Sequence, residues 1–220
     1  MKKIIFMFVL LAVTLTLSAC SLQKKDNVSS QVTGSLENIV SQDKVSLDDG
    51  FYEVKSDFSS VAWRANKVLA AHTGLVAIKS GELIVSDGQL SSSEIILDMT
   101  TLTSDEGMDS LVTHLKSADF FEVENYPEAR LTITSSTPGD QLNEYIVSGD
   151  LTIKGITKPI SFRSIINASS KELTARAEII INRLDWDIKY RSGKFFQDLG
   201  DNLISDEISF VVDLNASKTE

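Results

Sequence analysis

Leu83-Ile84-Val85-Ser86-Asp87-Gly88-Gln89-Leu90 is the stretch that decides the fold. Asp-Gly accepts positive φ at both central positions of a two-residue turn, and such a turn matches the right-handed twist of two flanking strands. Residues 74–85 before it alternate in period two, with Leu75 and Ala77 on one side and Val76 and Ile78 on the other. Residues 90–99 follow it as a second apolar run, so the segment reads as a β-hairpin.

Working outward, short runs of the same kind recur at 51–54, 61–65, 129–135, 145–153, 160–166, 173–181 and 207–214. In the last of these Ile208, Phe210, Val212 and Leu214 alternate with Glu207, Ser209, Val211 and Asp213. One segment breaks the rhythm. Met108, Leu111, Val112 and Leu115 fall at the three-to-four spacing of one apolar face, giving a helix of about three turns that Ser104 or Asp105 would cap and that runs to about Ser117. Pro127 marks the entrance to the next strand. Eight or so strands, one helix and no βαβ alternation point to an all-β fold, an antiparallel barrel or sandwich. A closed barrel has no free edges, and with eight strands its interior is either filled by side chains or holds one small ligand.

Composition excludes several classes. The chain has 220 residues, 42% in the hydrophobic set, and a formal charge of -10 from 21 basic and 31 acidic side chains. That is enough apolar material for one sizeable core, and too acidic for a nucleic-acid binder that works through a cationic surface. One cysteine and two histidines, His72 and His114, form no metal-ligand spacing, so no metal site is expected. There is no GxSxG, HExxH, GxGxxG or phosphate-cradling loop, and no enzyme activity is expected. Asp185 and Asp187 flank Trp186 in a strand-like stretch, where carboxylates two residues apart share a face; the plainer reading is a solvent face opposite a buried Trp186.

The amino terminus reads as an export segment. Lys2 and Lys3 precede an apolar run over 4–17, too short for the roughly 20 residues of a bilayer span, and Leu17-Ser18-Ala19-Cys20 follows. These four residues resemble the bacterial lipobox, which implies cleavage ahead of Cys20 and diacylglycerol on its sulfur. Loss of Lys2 and Lys3 would move the formal charge from -10 to -12. Residues 20–49, rich in Ser, Gln, Asn, Asp and Lys, read as a flexible tether between the lipid-bearing Cys20 and a globular body over 50–215, with a short tail at 216–220.

Within that body the chain resembles the YceI-like proteins, small exported lipocalin-like β-barrels associated with polyisoprenoid binding. The resemblance rests on Phe51-Tyr52-Glu53-Val54, Phe58-Ser59-Ser60-Val61-Ala62-Trp63, His72-Thr73-Gly74 and Ser80-Gly81-Glu82-Leu83. Its more specific parts are the run from His114-Leu115-Lys116-Ser117 through Ala118-Asp119-Phe120-Phe121 to Asn125-Tyr126-Pro127, and Val147-Ser148-Gly149-Asp150-Leu151-Thr152-Ile153 with Lys154-Gly155. Asn182-Arg183-Leu184-Asp185-Trp186-Asp187 resembles the family's late arginine and aromatic region. The resemblance implies an antiparallel barrel of about eight strands with one helix, holding an isoprenoid or quinone lipid rather than a catalytic cofactor.

A lipid tail needs a dry, elongated cavity with its few polar groups at the mouth. The candidate pocket residues are Trp63, His72, His114, Phe120, Phe121, Tyr126, Phe162 and Trp186, with Tyr190, Phe195 and Phe196 as further wall or mouth positions. His72 and His114 could hydrogen-bond a head group, and Lys116, Arg130, Lys154, Lys158, Arg183 and Arg191 could pair with an anionic one. For each aromatic the competing reading is ordinary core packing.

The expected function is binding of an amphiphile such as a quinone, polyprenol or fatty-acid-like lipid, for storage, shielding or transport in the cell envelope. The expected setting is lipid anchorage, at an outer membrane facing the periplasm, with a hydrophobic small molecule and the membrane as partners, no nucleic acid, and a homodimer left open. Two alternatives remain: a structural or protein-interaction lipoprotein with a solidly packed barrel, and a cavity-based hydrolase or isomerase.

Overall fold

The computed structural model describes residues 46–219. The proposed export segment, Cys20 and most of the expected tether lie outside the described residues. Nine strands follow one another: β1 (Gly50–Val54), β2 (Ser60–Lys67), β3 (Ala71–Ser86), β4 (Gln89–Asp98), β5 (Glu128–Pro138), β6 (Glu144–Ile153), β7 (Ile156–Ala168), β8 (Glu172–Asn182) and β9 (Ile204–Lys218). They form one antiparallel sheet in the order β1-β3-β2-β9-β8-β7-β6-β5-β4, which β3 and β4 close into a barrel. β1 and β2 are two halves of one stave. β2 lies between β3 and β9 over residues 60–67, and β1 takes the same place further along, pairing with Leu83 of β3 and Lys218 of β9 through Tyr52. The barrel therefore has eight staves.

The deciding hairpin forms as its sequence requires. Asp87 and Gly88 both have positive φ, and Ser86 pairs with Gln89 across the two-residue turn. Lys154-Gly155 repeats the device between β6 and β7, where Ile153 faces Ile156. Pro159 stands opposite Asp150 inside β7, an unusual place for a residue without an N–H. It is tolerated because the β7–β8 ladder covers only Ser164 to Ala168; among the described residues, 156–163 of β7 have no ladder partner on that side.

The helix is shorter than expected. α1 spans Asp109–Lys116, with Met108 at its N-cap, and neither Ser104 nor Asp105 caps it. Those residues are committed elsewhere. The Asp105 N–H donates to the Thr73 carbonyl at 2.9 Å and Thr103 N–H to Leu75 carbonyl at 2.9 Å, so residues 103–105 lie along β3 before β4 takes over that edge. Gly107, at positive φ, then turns the chain into α1.

Two boundaries also differ. Residues 216–218, expected as tail, belong to β9, and the Thr219 N–H donates to the Phe51 carbonyl at 2.8 Å. At the other terminus the last residues of the expected tether are held against the barrel: Leu47 is buried, and Asp49 Oδ1 accepts from Gly88 N–H at 2.8 Å.

One hydrophobic core occupies the barrel's interior face. Inward positions of each strand supply it, and burial of each large aliphatic or aromatic side chain contributes about 1.5–3 kcal/mol before entropy is set against it. Because neighbouring staves run antiparallel, α1, the β2–β3 and β6–β7 turns and the long β8–β9 connection all gather at one end. Residues 46–49, the Asp87-Gly88 turn and the chain's final residues gather at the other.

Candidate ligand cavity

The interior is not solid. A cavity of about 140 Å³ runs from Leu115, Phe120 and Phe121 at the helix end to Leu83, Leu90 and Val147 deep in the barrel. Beyond it Tyr52, Tyr145 and Leu173, all buried, close the far end, and the Tyr52 hydroxyl donates to the Asp48 carbonyl at 2.6 Å. The lining is aliphatic and aromatic apart from Arg130, Ser164 and Arg183. Cavities of about 150 Å³ with such walls stay dry and admit a benzene-sized molecule, whereas sites for larger ligands run to about 300–1,000 Å³. The space as it stands therefore takes a short length of apolar tail, and a longer tail must turn side chains aside or extend beyond it.

Trp63 on β2 borders the cavity and donates its indole N–H to the Thr103 carbonyl at 3.1 Å. This bond is possible because Gly74 lies between them: a Cβ there would strike the Thr103 carbonyl and come within 2.8 Å of Trp63 Cε2. Phe120 and Phe121 follow α1 and reach the cavity from its helix end, while Phe162 comes from β7. The segment that carries α1 is clasped to β3 by more than backbone. Glu106 Oε1 accepts from the Thr73 N–H at 3.3 Å, and its other oxygen accepts from the Ser104 hydroxyl, which holds the Glu106 carboxyl below its ordinary pKa.

Four of the expected pocket residues lie outside the lining. His72 stands on β3 with Nδ1 buried and 3.7 Å from Glu106 Oε1. His114 on α1 meets Asp119 at 2.9 Å and packs edge-on against Phe120 and Tyr190, one layer behind the cavity. Tyr126 is 37% exposed and covers the β6–β7 turn, where a Cβ on Gly155 would come within 2.9 Å of its ring. Trp186 is fully buried, but as core, with its indole N–H donating to the Leu151 carbonyl at 3.1 Å. It sits in a 3-10 turn, Arg183–Trp186, closed by Asp187 at positive φ. Asp185 and Asp187 are therefore not two residues of one strand face. Among the further positions, Tyr190 stacks behind Phe120, whereas Phe195 and Phe196 are exposed.

Of the cations considered for a head group, Arg183 alone is wholly buried and borders the cavity. Its guanidinium donates to the carbonyls of Ile188, Ser205 and Ile204 at 2.7, 2.9 and 3.2 Å and lies 3.5 Å from Asp206 Oδ1. Burial pushes its pKa down and Asp206 opposes this. Lys116 donates instead to the Thr100 carbonyl, and Arg130, although it borders the cavity, is part-exposed and pairs its guanidinium with Glu94. Sequence reasoning missed the aliphatic bulk of the lining, including Val76, Ile95, Ile179 and Val212. The signal was there, in the inward phase of each strand.

A hollow eight-stave antiparallel barrel with an apolar interior and a helix-bearing segment across one end defines a lipocalin-like class of protein. The chain belongs to the YceI-like domain family, whose pattern it matches over residues 52–216. It is 35% identical over 82 residues to a UPF0312 protein of Pseudomonas putida, which is 37% of this chain and 42% of that one. It is 44% identical over 52 residues to Protein YceI of Escherichia coli O157:H7, covering 23% and 26% of the two. These matches span less than half the length of the relatives. Among solved structures, BcnA of Burkholderia cenocepacia superposes with a TM-score of 0.59 at 18% identity over 74% of this chain and 98% of that one. A polyisoprenoid binding domain from Saccharophagus degradans does so at 0.59 and 14% identity, over 78% and 100%. At these identities the likeness shows the fold.

Proposed function

We propose that the barrel binds an amphiphile by taking its isoprenoid or acyl tail into the cavity, and so stores, shields or moves a quinone, polyprenol or fatty-acid-like lipid through the cell envelope. The observation that carries this reading is the apolar cavity itself, dry-walled and bordered by a buried Arg183 near its helix end. Transfer of each methylene from water to such a space contributes about 0.8 kcal/mol. The polyisoprenoid binding of a structural neighbour supports the choice of tail. Leu17-Ser18-Ala19-Cys20 supports a lipid anchor on Cys20, and Ser21, which resembles the second mature residue of lipoproteins released to an outer membrane, supports a place there facing the periplasm.

Titration with a fluorescent long-chain fatty acid and with a short-tailed quinone tests the reading. Saturable uptake at one molecule per chain, competed by a polyprenol, is the expected result. Linear, unsaturable partitioning of every probe would overturn it.

A further inference from the structure

The helix end of the barrel carries large apolar side chains that the described residues leave exposed. Val68 and Leu69, in the β2–β3 turn, are 52% and 78% exposed, and Phe195 and Phe196, in the β8–β9 connection, are 53% and 45% exposed. Together they leave on the order of 400 Å² of apolar surface, a size at which such a patch is commonly functional. The two pairs belong to one tip. Lys67 pairs with Ile204 at the β2–β9 edge, the Ile204 N–H donates to the Arg191 carbonyl at 3.0 Å, and the Phe195 and Phe196 N–H groups both donate to the Ser192 carbonyl. Ile180, on the outer face of β8 at the same end, is 60% exposed.

The flanking charges are long and basic but locally balanced. Lys67 adjoins Val68, and the Lys189 ammonium stands 5.3 Å from the centre of the Phe195 ring while pairing with Asp187; Lys194 pairs with Asp206. Basic stems around exposed aromatics suit a surface whose interior is apolar and whose headgroups are polar. The balance by Asp187 and Asp206 favours a neutral headgroup layer over an anionic one.

A second feature, a gap in the sheet, lies at the same end of the barrel. The β7–β8 ladder ends at Ser164 and Ala177, so among the described residues no ladder joins the helix-end parts of the two strands. Ile160, Phe162 and Ile179, which border this seam, also line the cavity. A tail leaving the cavity here would meet water unless lipid lay against the seam, at about 0.8 kcal/mol for each exposed methylene.

We propose that Val68, Leu69, Phe195 and Phe196 form a docking surface for a zwitterionic phospholipid bilayer, which sets the β7–β8 seam against the lipid from which the ligand is drawn. This rests on the reading of the barrel as an amphiphile carrier. Chain length permits it even with an anchor on Cys20. The 25 residues between Cys20 and Ser46 reach at most about 85 Å when extended, whereas the 16 residues of β3 measure about 53 Å. The tip can therefore touch the bilayer although the chain enters the barrel at the opposite end.

The test uses the full chain in phosphatidylcholine vesicles containing brominated lipid. Tryptophan is introduced singly by Leu69→Trp, Phe195→Trp or Leu142→Trp, the last being an exposed site at the far end. With the unsubstituted chain as background, emission at 69 and 195 should be quenched at least about twofold more than at 142. Equal quenching at all three sites, or none at 69 and 195, would overturn the proposal, as would a concentration-dependent dimer that buries both without vesicles. In a second arm, the Leu69→Asp, Phe195→Asp double variant should slow transfer of a fluorescent fatty acid between vesicles about tenfold while taking it up from solution as before. Unchanged transfer would count against docking. If the unsubstituted chain takes up no lipid yet its tip is quenched, docking stands and the carrier reading falls.

Discussion

The indole N–H of Trp63 on β2 donates to the carbonyl of Thr103 at 3.1 Å, and this bond joins the cavity wall to the segment that closes the cavity. Trp63→Phe keeps most of the apolar bulk and removes the donor. The expected loss is about 0.5–1.5 kcal/mol by urea denaturation, with faster amide exchange at 103–106 than in the strands. Gly74→Ala should be the more damaging change, because the new Cβ meets the Thr103 carbonyl and the Trp63 ring, and the closing segment must shift away from β3.

Filling the cavity separates binding from stability. Ala177 lines it and is buried. Ala177→Leu adds its methylenes where the cavity leaves room, so by urea denaturation it should cost about 1 kcal/mol, the low end for an enlarged core residue, while reducing lipid uptake at least about tenfold. Phe121→Ala should do the reverse to stability, costing about 3–5 kcal/mol, and loosen the helix end. Uptake that survives Ala177→Leu unchanged would place the ligand elsewhere.

Arg183 anchors the β8–β9 connection through three backbone carbonyls. Arg183→Met leaves them without a donor and leaves Asp206 with Lys194 as its remaining cationic neighbour, so the expected cost is about 3 kcal/mol, most of it from the three buried carbonyls. Arg183→Lys should rescue little, because one ammonium cannot reach the three carbonyls that the planar fork spans. Thermal unfolding of the two variants beside the parent chain checks this.

Acid should weaken the barrel at two clasps. The Arg163 guanidinium, 3.0 Å from Glu144, and the N–H groups of Asp140 and Gln141 hold the Glu144 carboxyl below its ordinary 4.5; the Ser104 hydroxyl acts likewise on Glu106. A carboxyl whose folded pKa is depressed adds stability that is present above its unfolded pKa and lost as pH falls through the folded one. Stability should therefore be flat for these groups near neutrality and decline below about 4.5. Glu144→Gln should shallow that decline in urea midpoints measured against pH, and an unchanged slope would remove Glu144 from the account.

Much of the fold was legible because period-two alternation and turn chemistry act locally. Asp87-Gly88 specified its turn, and the residues of β9 announced their inward face through Ile208, Phe210, Val212 and Leu214. The helix start was not legible. Ser104 and Asp105 look like caps, but tertiary pairing of 103–105 with β3 overrides that local preference. The site was legible only in part, for a related reason. Trp63 and Trp186 are both buried aromatics with an indole donor satisfied by a carbonyl, and only the closed barrel tells that one borders the cavity and the other does not. His72 and His114 drew notice as rare polar residues, yet both stand outside the lining, His114 bonded to Asp119 and His72 3.7 Å from Glu106.

Native mass spectrometry of the chain purified without added lipid, followed by organic extraction, tests the central claim most directly. One bound molecule per chain is expected, released by solvent and bearing an isoprenoid or acyl tail, and lost in Ala177→Leu. A chain that emerges empty, and that then fails to bind quinone, polyprenol or fatty acid saturably, would contradict it.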